Sequence, residues 1–194
     1  IMVSRGYSEV INYSFISPSM NIMMGTNSKT IDIKNPLSIE MSVMRTSLLP
    51  GLLQNLMYNL QRQHENIKLF ESAKIFTHND KTSRENDVIS GISYGSRTKE
   101  QWGLESNTID FYDVKGDLEM LFSSLEINDQ VEYIKDSHPM LCPGKNAKID
   151  LDGITIGHVG ELNPELIMEL DLVQTPILFE IDKEHLKLPN QMNY

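Results

Sequence analysis

Apolar residues recur at three- and four-residue steps from Leu49 to Leu60. Leu49, Leu52, Leu53, Leu56 and Leu60 make one stripe, while Gln54, Asn55, Asn59, Gln61 and Arg62 take the other faces. The pattern predicts an amphipathic helix, with Thr46 or Ser47 as N-cap and Pro50 in the first turn, where a missing N–H costs little. Past Glu65–Asn66 the period changes to two. Leu69, Glu71, Ala73 and Ile75 point one way and Phe70, Ser72, Lys74 and Phe76 the other, so a strand is expected over 68–76.

The rest of the chain follows the same two periods. Ile1 to Arg5 reads as the last turn of a helix stopped by Gly6, and Glu9 to Phe15 as a strand. Ser17–Pro18 opens a short helix through Met24 that Gly25 ends, and Thr30 to Lys34 is a short strand before the Asn35–Pro36 turn. The polar stretch 77–86 is expected to be a loop or hairpin tip. Val88 to Tyr94 is a strand whose Gly91 marks a bulge or a close backbone approach. Residues 97–108, with the single tryptophan Trp102, read as irregular.

Further on, Asp113 is expected to cap a helix carrying Val114, Leu118, Leu121, Phe122 and Leu125 on one side. A short strand at 131–134 and a loop at 138–144, with two prolines, come next. Ala147–Leu151 and Ile154–Leu162 flank Asp152–Gly153, a dipeptide suited to a type I′ hairpin turn. Asn163–Pro164 starts a short helix, and 177–181 is the last strand. Strands joined by hairpins and a few helices predict a single α+β domain over 1–194, a mostly antiparallel sheet with its helices on one face.

Five blocks in order resemble the catalytic-like core of the bacterial phenylalanyl-tRNA synthetase β subunit. They are GYSEVINYSF (6–15), the run NPLSIEMSVMRTSLLPGLLQNLMYNLQRQ with LFESAKIF (35–76), DFYDVKGDLEMLF (110–122), PGKNAKI (143–149) and GITIGHVGELNPEL (153–166). The resemblance implies a degenerate class II synthetase fold. The apolar, uncapped start at Ile1–Met2–Val3 and the trailing 186–194 read as a core module cut from a longer β subunit.

Bulk properties sharpen this expectation. A chain of 194 residues buries about 70% of its unfolded surface in one core. No run approaches the roughly 18 apolar residues that cross a bilayer, and no membrane partner is expected. Cys142 is the only cysteine, which excludes an intrachain disulfide and fits a cytoplasmic setting. The net charge of −10, with no basic block, argues against tRNA binding as this segment's main task, since that binding neutralises phosphates with Lys and Arg.

The resemblance also locates where catalysis would sit. LFESAKIF resembles the leading strand of the second class II motif, where active members follow with Phe-Arg-x-Glu and the arginine grips the ATP α-phosphate. Here Phe76 is followed by Thr77, His78 and Asn79. Gly6 to Val10 resembles the first motif, but Tyr13 and Ser14 stand where its strand usually has proline. No arginine matching the third motif accompanies Gly153, Gly157 and Gly160, whose expected role is strand turns and close packing. Asp110, Asp113, Asp117 and Glu119 could suggest magnesium, but an N-cap at Asp113 and a helix-dipole position for Asp117 are the simpler reading. The family's acidic metal cluster lies upstream of this segment. His138 and Cys142 lack the second pair a structural zinc needs, and Cys142 stands where the family commonly has His.

The expectation is therefore a module with no catalytic, cofactor-binding or metal-binding residues of its own. By resemblance its parent enzyme joins phenylalanine to tRNA with ATP and magnesium as an (αβ)2 assembly, adenylate formation belonging to the α subunit. The module would then be a scaffold for α, with apolar surface exposed around 1–7. A self-contained adenylate-forming enzyme and a tRNA-contacting module are the rival classes.

Overall fold

The computed structural model describes residues 1–23, 30–79, 82–97, 102 and 107–186. A seven-stranded sheet runs through it, built from β1 (Ser8–Glu9), β4 (Ile67–Asn79), β5 (Thr82–Tyr94), β6 (Val131–Lys135), β7 (Leu141–Leu151), β8 (Ile154–Leu162) and β9 (Ile177–Asp182). Its order is β1-β4-β5-β9-β8-β7-β6, with β1 parallel to β4 and every other neighbour antiparallel. Two short strands, β2 (Phe15–Ile16) and β3 (Val43–Met44), pair separately. The α+β architecture expected from the sequence is present.

The helices, however, lie on both faces of the sheet. On one face α2 (Leu49–Leu60) and α4 (Pro164–Glu169) bury Leu52, Leu53, Leu56 and Leu166 against Leu69, Ile92 and Leu178. On the other, α3 (Phe111–Ser124) buries Val114, Leu118 and Phe122 against Phe70, Ile89, Phe179 and Ile181. Central strands such as β9 are apolar at successive positions because both faces are covered. That near-continuous run hides the second helix layer from a period-two reading.

Local chemistry explains where the elements start and stop. The strand expected over 9–15 breaks after Glu9, because Asn12 turns to Glu71. Its backbone N–H donates to Oε1 at 3.3 Å and its side-chain amide to Oε2 at 2.7 Å. The strand expected over 30–34 reduces to one bridge, Asp32 to Val43. Ile1 to Arg5 ends in a 3₁₀ turn, Val3–Arg5, closed by Gly6 at φ +88°. The short helix α1 (Pro18–Met23) forms as expected, while Met24 and Gly25 lie outside the described residues.

The cap of α3 lies three residues before the expected one. Asp110 accepts from the Tyr112 and Asp113 amides at 2.8 and 3.0 Å, and Asp113 accepts in return from the Asp110 amide at 3.0 Å. Asp113 is thus the far corner of a capping box. Within the polar stretch 77–86, cross-strand pairing continues to Asn79 and Thr82, and residues 80–81 lie outside the described residues. Strand β7 likewise begins inside the expected 138–144 loop. Its pairing with β8 jumps from Leu141–Leu162 to Asn146–Gly160, and Pro143 sits in that irregularity, where no ladder N–H is required. Asp152 and Gly153 have φ +52° and +84°, as a type I′ turn needs.

Candidate functional site

One cross-strand row on the α2 face is polar from end to end. Glu71, Ser90, Glu180, His158 and Lys148 stand opposite one another on β4, β5, β9, β8 and β7. The row beside it, Leu69, Ile92, Leu178 and Gly160, is apolar and lies under α2. The helix cover ends between the two rows, and a groove of about 460 Å³ opens there.

Two chain segments, 47–48 and the β5 residue Ser90, converge on the groove's central carboxylate. Glu180 Oε2 accepts from Ser90 Oγ at 2.6 Å, from the Leu48 backbone N–H at 2.8 Å and from Ser47 Oγ at 3.0 Å. Desolvation by burial pushes its carboxyl above the ordinary carboxylate range, against the pull of those donors and of the Arg45 charge. Ser47 also caps α2, its Oγ accepting from the Leu49 N–H at 3.1 Å, although it lies one position outside the N-cap residue Leu48.

Beside it sits a buried ion pair. Arg45 Nη1 meets Glu71 Oε1 at 2.7 Å, and Arg45 Nε donates to the Lys74 carbonyl at 3.0 Å. Asn12 donates to the second Glu71 oxygen and accepts from Asn55 Nδ2 at 2.9 Å, which ties 12, 45, 55 and 71 into one knot. Sequence reasoning placed Glu71 correctly on the Leu69 side of its strand, but assigned no role to Arg45 or Glu180. The signal was a charged residue on the inward face of an alternating strand.

At the opposite wall the His138 and His158 rings lie 4.7 Å apart. His158 Nε2 is 3.2 Å from Asp136 Oδ2, and His138 Nδ1 accepts weakly from the Met140 N–H at 3.4 Å. Burial, helped by the His158 charge, lowers the His138 pKa to about 4, so its ring is neutral near pH 7. A backbone hydrogen bond from Ser137, together with His158, holds the Asp136 carboxyl below its usual range.

The structure separates several residues that the sequence set side by side. Asp117 is in the middle of α3 rather than at a dipole end. It is buried, with Arg5 Nε at 2.7 Å from one oxygen and Lys68 Nζ at 2.9 Å from the other. Glu119 pairs with Lys115 and Asp113 with Arg97. His138 faces the groove, while Cys142 lies on β7 with its thiol toward the Pro143 carbonyl. Gly157 and Gly160 permit close packing: a Cβ at Gly157 would strike the Glu180 backbone, and one at Gly160 would strike Asn146. Gly91 lies under the Phe179 ring, the close approach expected of it.

Thr77 and Arg84 pair across the β4–β5 hairpin and both line the groove. The Arg84 guanidinium therefore stands on the strand opposite Thr77, the position that the resemblance equates with the arginine of the second motif. The same lining holds the carboxylates of Glu180 and Asp182 and, among the described residues, no lysine.

Comparison with known proteins follows this geometry. A family model described as the phenylalanyl tRNA synthetase beta chain CLM domain matches residues 1–183. Phenylalanine–tRNA ligase β subunits from Neisseria gonorrhoeae and Nitrosospira multiformis are each 41% identical over 182 residues. These matches take in 93% and 94% of this chain but 23% and 22% of the relatives, so the chain spans under a quarter of their length. Among solved structures, the Desulfitobacterium hafniense pyrrolysyl tRNA synthetase PylSc superposes with a TM-score of 0.66 at 15% identity, over 95% of this chain and 63% of that one. At that identity the likeness is one of fold.

Proposed function

The chain belongs to the phenylalanyl-tRNA synthetase β-chain CLM domain family, and from that premise we propose that it is a non-catalytic class II-like module that scaffolds an α subunit. In this reading the parent enzyme charges tRNA with phenylalanine in the cytoplasm, using ATP and magnesium, as an (αβ)2 assembly whose α subunit forms the adenylate. The groove chemistry supports the division of labour. A triphosphate needs converging cations, and one arginine facing two carboxylates repels it more than it holds it.

The observation that carries the scaffold reading is a set of exposed apolar side chains between positions 11 and 39. Ile11, Leu37 and Ile39 are 92%, 88% and 85% exposed, and Tyr13 is also exposed. Tyr13 and Ile39 border an open hollow that reaches Phe15, Met20 and Met41. Large apolar side chains left exposed around such a hollow suit a protein contact. Around the N-terminus the exposure is mixed: Ile1 and Val3 are exposed, but Met2 and Tyr7 are core residues.

The test is copurification with the α subunit of the same organism. The chain should be retained by α, and Ile11→Asp with Ile39→Asp should abolish retention while leaving the thermal melt in place. The chain alone should give no ATP–pyrophosphate exchange. Exchange, or heat stabilisation by ATP, would favour an adenylate-forming enzyme, and tRNA affinity with a steep salt slope would favour a tRNA-binding module.

A further inference from the structure

The groove holds a carboxylate that the fold does not use up. All three hydrogen bonds to Glu180 arrive at Oε2, and Oε1 has no partner among the described residues. Capping α2 does not account for an acid here, because Ser47 already caps the helix locally. A neutral amide would accept the same bonds without the desolvation that burdens a carboxylate. The surroundings are of two kinds: apolar walls from Leu49, Met140 and Leu178, and a polar rim from Thr77, Asn86, His138 and His158 with the Asp182 carboxylate and the Arg84 guanidinium, so that carboxylates outnumber the arginine.

We propose that this groove binds a small primary amine on an apolar body, its ammonium paired with Glu180 Oε1 and its carbon skeleton along Leu49 and Leu178. An ammonium supplies the partner that Oε1 lacks and relieves the cost of the ionised acid. The apolar walls take the carbon skeleton, and a cavity of about 460 Å³ is of ligand size. This binding goes beyond the scaffold role, which requires no ligand, and either can fail without the other.

Phenethylamine is the probe and 3-phenylpropionate, with its charge reversed, the control. In amide-resolved NMR of the chain, phenethylamine should shift the Ser47 and Leu48 resonances saturably at millimolar concentration, and the carboxylate should not. Glu180→Gln, which keeps an acceptor for Leu48, should weaken binding about tenfold, the share of one charge-assisted hydrogen bond. Ile75→Trp, which fills the groove from β4 without touching the acid, should block binding and serves as the second variant should Glu180→Gln not fold. Equal shifts from both probes, no saturable shift, or undiminished binding in either folded variant would overturn the proposal.

Discussion

Glu180 Oε2 accepts a 2.8 Å hydrogen bond from the backbone N–H of Leu48, 132 positions earlier in the chain. The last strand thereby holds the first turn of the helix that covers the sheet. Glu180→Ala leaves that N–H and two serine hydroxyls without their acceptor and should cost about 2 kcal/mol, measured by urea unfolding. Because burial raises the carboxyl pKa in the folded state, its ionisation opposes folding. Its contribution is greatest below the ordinary carboxylate pKa and is lost as pH rises through the raised one. Glu180→Gln should therefore cost less than about 1 kcal/mol at pH 7.

The Arg45–Glu71 pair is buried on both sides. Removing one partner strands the other charge, so Arg45→Met or Glu71→Leu alone should cost about 3–5 kcal/mol. The double variant should cost clearly less than the sum of the two. A double-mutant cycle by chemical denaturation checks this, and additive losses would show that the two side chains do not act as a pair.

His138 gives the fold an acid-side weakness. Its folded pKa lies near 4, below the ordinary histidine value of 6.5, so the unfolded chain binds the extra proton between those values and stability falls as pH drops through that window. Between pH 7 and pH 5 this group should remove about 1–2 kcal/mol. The measurement is the difference in pH slope between the native chain and His138→Gln, which should be flatter and which cancels the opposite contribution of Glu180.

Gly91→Ala drives a methyl into the Phe179 ring. The expected loss is about 1–3 kcal/mol, and Phe179→Leu should return part of it in the double variant, read from melting temperatures.

The regular elements were legible where one period held without interference. The α2 stripe, the 68–76 alternation and the Asp152–Gly153 hairpin emerged as the residues indicated. The boundary at Glu9 failed because a side chain far along the chain, Glu71, draws in Asn12, and that of α3 failed because Asp110 and Asp113 both stand at the helix start and Asp110 takes the cap. The second helix layer was hidden because strands covered on both faces lose their alternation. The groove was hidden for a different reason. Glu71, Ser90, Glu180 and His158 come from four strands and meet only through register, which no local window carries. Arg84 escaped notice because it stands across the hairpin from Thr77, the position the second-motif pattern singles out.

Strands β5, β8 and β9 are the common wall between the α2 and α3 sides, with Ile92 and Leu178 packed on one and Ile89, Val159 and Phe179 on the other. Neither helix can be peeled away without loosening the partition its opposite number leans on. The domain should accordingly melt as a unit, helical and sheet signals vanishing together, without passing through a form that has shed only one layer.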